Sequence, residues 1–139
     1  MTPDLRDLAA AVVALPGWEW RPGMLDSATG LRIVKVLPDG SVCLLRVAPV
    51  NLTPRLLIRT RDDIRLMEMR PDLTDPATAG AMLGILMVGG GIGVALVSND
   101  GDGRWYAGSG PIWHSSPAGS GATPGEAIAR MVVARGGWR

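Results

Sequence analysis

Apolar residues recur with two different periods along this chain, and the change of period divides it into parts. Leu5, Leu8, Val12 and Leu15 follow one another at steps of three, four and three, the spacing of one helix face. Thr2 suits an N-cap, Pro3 suits the first helical position and Pro16-Gly17 is a stop, so an amphipathic helix is predicted over about 3–15. The same device returns at Asp75-Pro76 and at Thr123-Pro124-Gly125-Glu126, where Thr and Glu three apart read as a capping box. The last helix is predicted over about 124–135, ending at Gly136, with Ile128, Met131, Val132 and Arg135 along one side.

Between the first helix and Asp75 the period falls to about two. WEWRPGML, LRIVKVL, SVCLLRVAPV, RLLIRT and DIRLMEM are short apolar-rich runs separated by DSATG, PDG, NLTP and RDD, the pattern of strands joined by hairpins. Pro38-Asp39-Gly40 is the clearest turn, since proline presets the first central torsion and glycine tolerates the next. Thr53-Pro54 fits a short helix start as well as a strand. Together these segments predict one α+β domain over 1–139, an antiparallel hairpin meander of about five or six strands with three helices.

The stretch AGAMLGILMVGGGIGVALV, residues 79–97, carries no charge and has the length of a membrane span, with Gly80 and Gly84 in GxxxG spacing. Its glycines argue against a span. Each mid-helix glycine costs about 1 kcal/mol relative to alanine, and Asp75-Pro76 with Gly89 bound a helix of 76–88, too short to cross a bilayer. A buried strand over Ile92–Val97 is expected to follow. A dinucleotide-type loop fails too: Gly91-Ile92-Gly93 lacks the third glycine, and the order is helix then strand, the reverse of the fingerprint. Lys35, the only lysine, is far from any phosphate-loop position.

Ser98 to Gly103 is dense in turn formers and leads into a strand at Arg104-Trp105-Tyr106-Ala107, and the alternating ligands of a calcium loop break at Arg104. Residues 108–121 are rich in Gly, Ser and Pro and read as an exposed loop, a candidate lid. Fourteen basic and thirteen acidic residues leave a net charge of +1, which argues against general nucleic-acid coating. Hydrophobic residues make up 47% of the chain, too many for intrinsic disorder. One cysteine, Cys43, excludes an internal disulfide, and with no basic signal segment at MTPDLRDL the expectation is a cytoplasmic protein.

Catalytic constellations are sparse. His114, the only histidine, lies beside Ser115 and Ser116, but adjacency in sequence is not a catalytic relay, and one histidine is a poor start for a metal site. No catalytic residue, metal or cofactor is therefore assigned. Glu126 is expected to serve capping and Asp62-Asp63 a turn. Binding residues are better represented. Arg55, Arg59, Arg61 and Arg65 bracket the predicted hairpin at 55–69, and guanidinium groups on one ribbon suit phosphate or carboxylate; a solvated strand face balanced by Asp62, Asp63 and Glu68 is the plainer alternative. Trp18, Trp20, Trp105, Tyr106, Trp113 and Trp138 supply aromatic surface, with Trp113 and Trp138 placed where little else would bury them. The candidate ligand-binding set is Arg55, Arg59, Arg61, Arg65, Trp105, Tyr106, Trp113 and His114.

LPGWEW with Gly23-Met24 after it, RPDLTDPATAGAML, the Trp105 strand and the closing TPGEAIARMVVA resemble a set of small proteins encoded by phages and prophages of GC-rich bacteria. The likeness runs in order along nearly the whole chain and is strongest over 15–24 and 70–83. It departs at MVGGGIGVALV, where such proteins continue the helix with charged residues. The resemblance implies a setting and a length rather than a mechanism. In that setting the expected role is a non-enzymatic accessory protein in the host cytoplasm that binds a host protein or a small phosphate-containing ligand. Counter-defence by sequestering a nucleotide signal is one form of that role. A scaffold homo-oligomer packing through helix 76–88 is the rival from another class, and a small enzyme using His114 a third.

Overall fold

The computed structural model describes residues 3–47, 54–88, 94–99, 103–109 and 119–138. The described chain runs α1 (Pro3–Ala14), β1 (Arg32–Val36), β2 (Val42–Val47), β3 (Pro54–Arg59), α2 (Arg61–Leu66), α3 (Pro76–Val88), β4 (Val94–Asn99), β5 (Arg104–Ser109), β6 (Gly119–Gly121) and α4 (Pro124–Arg135). The class is α+β, as the two periods predict. The architecture differs from a single meander: β1-β2-β3 form one antiparallel sheet and β4-β5-β6 a second.

Two of the expected strands are absent. DIRLMEM begins as α2, because Thr60 caps it: the Thr60 hydroxyl accepts from the Asp63 amide at 3.2 Å while the Asp63 carboxylate accepts from the Thr60 amide at 3.1 Å. This reciprocal box overrides the strand-like alternation that follows. The helix stops in a Schellman motif, with the Glu68 amide bonded to the Arg65 carbonyl and the Met69 amide to the Ile64 carbonyl. Glu68 consequently sits at φ 52, where glycine is the usual occupant. WEWRPGML forms no strand either, since Gly23 turns the chain at φ +97, and only isolated bridges, Leu25 to Arg32 and Asp26 to Pro71, remain. Conversely, β6 and the end of β5 fall inside the stretch expected to be loop, and β4 extends through Ser98-Asn99. The expected glycine hinge at 89–93 lies outside the described residues.

The three anticipated helices end close to their predicted bounds; Thr2 and Gly89, the expected cap of the first and stop of the second, lie outside the described residues. Asp75 accepts from the Thr78 amide at 2.9 Å, and Thr123 from the Glu126 amide at 3.2 Å. Glu126 reaches back one residue further than a standard box, accepting from the Ala122 amide at 2.9 Å. Ala79, Met82, Ile85 and Leu86 of α3 meet Ile128, Met131 and Val132 of α4, Ala9 and Val12 of α1, and Ile33, Val42 and Leu44 of the first sheet in one core. Close approach is made possible by glycine. A Cβ on Gly119 would overlap the Ala127 carbonyl and the Met131 amide, and one on Gly125 would overlap the Leu73 carbonyl. Trp138, expected at the surface, is only 1% exposed and donates its indole N–H to the Val12 carbonyl at 2.9 Å, tying the end of α4 to α1.

A polar strap joins the first sheet to α3. Arg32 donates to both Asp75 oxygens, at 2.8 and 3.0 Å, and to the Gly23 carbonyl at 2.7 Å. The Thr78 hydroxyl donates to Asp75 and accepts from the Leu25 amide, both at 2.9 Å. Arg32 is the main reason that the Asp75 carboxyl is lowered to about 2 from an ordinary 3.8. Buried Asp26 is likewise satisfied, accepting from Thr29 Oγ1 and from the amides of Ala28, Thr29 and Arg70.

Among the described residues no helix is long and apolar enough to cross a membrane.

Candidate functional site

Three segments distant in sequence meet around Arg61. The hairpin between β1 and β2 turns at Pro38-Asp39-Gly40, with the Gly40 amide bonded to the Leu37 carbonyl and Gly40 at φ +88. Because Gly40 has no Cβ, the Arg61 side chain lies across the turn; a methyl there would come within 2.9 Å of Arg61 Cδ. The third segment is Trp18-Glu19-Trp20, whose two indoles pack edge to face at 5.3 Å and 84°.

Arg61 thereby borders two depressions of different character. One, about 660 Å³, is polar and lined by Asp39, Ser41, Thr60, Arg61, Asp62 and Arg65. The other, about 420 Å³, is lined by Trp18, Trp20, Val36, Leu37, Pro38 and Ile64 together with Glu19, Gly40 and Arg61. Arg61 has no hydrogen-bond or ion-pair partner among the described residues. Arg65 is held only loosely, by Asp62 at 3.4 Å with both side chains largely in water, an ion pair of little strength. Glu19 is already paired with Arg21, whose Nε donates at 2.9 Å.

Asp39 and Asp63 are poor bases. Asp39 is held below its usual range first by the Ser41 amide, which donates to it at 2.9 Å, with Arg61 adding a smaller pull. Asp63 is lowered by the Thr60 amide in the capping box. A general base needs its affinity raised toward neutral pH, the opposite of these shifts. The arrangement is suited to holding a ligand: a guanidinium with no hydrogen-bond partner among the described residues and an apolar lobe with two indoles, the hydroxyls of Ser41 and Thr60 being engaged by Asp39 and Asp63.

The sequence-based set divides. Arg61 and Arg65 border the groove, but they stand on α2 rather than on a hairpin strand. Arg55 and Arg59 lie on β3, and neither depression includes them. Trp105 and Tyr106 belong to β5 in the second sheet, Trp105 packed partly against the core. Trp113 and His114 lie outside the described residues. The aromatics that do accompany arginine are Trp18 and Trp20, named in the sequence as aromatic surface but not linked there to Arg61. Among the described residues no group of three or more His, Cys, Asp or Glu is placed to hold a metal ion. No family model, no curated protein and no solved structure matches this chain.

Proposed function

We propose that this is a non-enzymatic binding protein whose ligand is a small phosphate-bearing molecule with a flat apolar part, a nucleotide signal, held in the groove around Arg61. The observation that carries the reading is the position of Arg61 between a polar and an indole-lined lobe with its guanidinium uncommitted. Arg61 and Arg65 meet the phosphate through charge-assisted bonds, and the base lies against Trp18 and Trp20. Asp39 and Asp62 oppose a high ligand charge, which favours one phosphomonoester or cyclic phosphodiester over a triphosphate.

By the resemblance of residues 15–24 and 70–83 we place the protein in a phage or prophage setting, and a cytoplasmic counter-defence role is the form we propose there, sequestration lowering the free level of a host signal. Calorimetry against cyclic and linear mononucleotides tests the ligand reading. Binding is expected for at least one of them, weakened about tenfold or more by Arg61→Ala, as loss of a charge-assisted bond implies. Absence of heat for the whole panel with folded protein overturns it. The scaffold alternative draws on Met87, 75% exposed on the otherwise apolar α3. It predicts concentration-driven assembly without any ligand, read by sedimentation.

A further inference from the structure

We infer that the edge of β3 is a docking site for an extended acidic peptide segment of a partner protein, added as a fourth strand to the first sheet. The inference is independent of the nucleotide groove. Among the described residues β3 pairs with β2 alone, so its other edge is a row of backbone donors and acceptors without a strand beside it. Its two faces differ in chemistry. Leu56 and Ile58, each 62% exposed, stand on the outer face opposite Leu45 and Cys43. Arg55, Leu57 and Arg59 stand on the other face, opposite Arg46, Leu44 and Val42.

That register sets Arg46 directly across from Arg55. Like charges directly opposite on neighbouring strands repel, and neither arginine has an ion-pair partner among the described residues. Arg59, whose Nη1 meets the Met67 sulfur and whose charge also acts on Asp63, continues the basic row about 13 Å further along, at roughly 3.3 Å per residue. An added strand alternating acidic and apolar side chains satisfies all of this at once. Its acids neutralise Arg46, Arg55 and Arg59, its apolar residues cover Leu56 and Ile58, and its backbone bonds to the edge. A second copy of this chain is the poorer occupant. Two β3 strands centred on Leu57 set Arg55 against Arg59 of the other copy, and the registers that match like faces add the second copy's arginines to a basic row.

Fluorescence anisotropy with labelled acetyl-(Glu-Val)4-amide tests the inference, against (Lys-Val)4 and a block peptide of four Glu followed by four Val. The alternating glutamate peptide is expected to bind about tenfold tighter than either control. Arg55→Glu with Arg59→Glu is expected to invert the preference toward the lysine peptide. The milder Arg55→Gln with Arg59→Gln, which spares the fold more, should abolish the preference for glutamate. Equal binding of the block peptide, or no inversion in a folded charge-swapped variant, overturns the proposal. So does a ligand-free dimer that Leu56→Glu dissociates, since a second copy then covers the edge. Arg61→Ala is expected to leave peptide binding unchanged, which separates this outcome from that of the nucleotide groove.

Discussion

Replacing Asp75 by asparagine isolates the charge in the strap between the first sheet and α3. Asparagine is also a good N-cap, so the bond from the Thr78 amide survives while the ion pair with Arg32 is lost. The Asp75 carboxyl falls from 3.8 to about 2 on folding, which at about 1.36 kcal/mol per pH unit amounts to roughly 2.5 kcal/mol. The Arg32 side chain is 41% exposed, and solvent screening brings the expected loss to about 1–2 kcal/mol. A carboxyl with a lowered folded value stabilises fully above its unfolded value and loses that contribution as pH falls through the folded one. The stability gap between wild type and Asp75→Asn is therefore expected to be constant from about pH 7 to about pH 5, to shrink below about pH 4, and to close only below about pH 2. Urea unfolding curves followed by circular dichroism at a series of pH values give the gap directly. A gap that stays constant down to about pH 2 refutes the charge argument, and one near zero at neutral pH refutes the strap.

Two indoles make a matched test of hydrogen bonding. Trp138→Phe leaves the Val12 carbonyl only the longer bond from the Leu15 amide at 3.4 Å and is expected to cost about 1–3 kcal/mol by denaturant unfolding, whereas Trp18→Phe removes a buried N–H that has no partner among the described residues and is expected to cost less. Glycines give a second contrast in thermal melts: Gly119→Ala collides with the α4 backbone and should destabilise by several kcal/mol or prevent folding, while Gly80→Ala, exposed and with open space around its Cβ, should stabilise by about 0.5–1 kcal/mol. Glu68→Gly relieves the left-handed residue that ends α2 and should raise stability by about 1 kcal/mol in the same assay.

The helices were legible because their signals are local. Thr123 with Glu126, Asp75 with Pro76, and Gly136 at φ +83 act within one turn of their own position, and no tertiary contact is needed to read them. α2 carried the same kind of signal in Thr60-Arg61-Asp62-Asp63, but the alternation of DIRLMEM competes with it, and six residues are too few for a helical period to show. The division into two sheets has no local signature at all. It depends on α2 and α3 standing between β3 and β4 in the chain, so that the two hairpin systems pack around the helices instead of edge to edge.

The groove was hidden for a related reason. Arginine clustering in sequence pointed at residues 55–65 as one ribbon, yet the capping box at Thr60 breaks that ribbon at its middle, turning Arg61 and Arg65 onto a helix and leaving Arg55 and Arg59 on an edge strand. What joins Arg61 to aromatic side chains is the absence of a side chain at Gly40, which allows the guanidinium arm to cross the β1–β2 turn between the two lobes. A run that reads as one basic patch thus supplies two surfaces. One is proposed to take a small anion with a flat body, and the other a strand with alternating acids. Because Thr60 lies between them, a substitution that dissolves its capping box should disturb Arg61 while leaving the pairing of Arg55 with Arg46 in place.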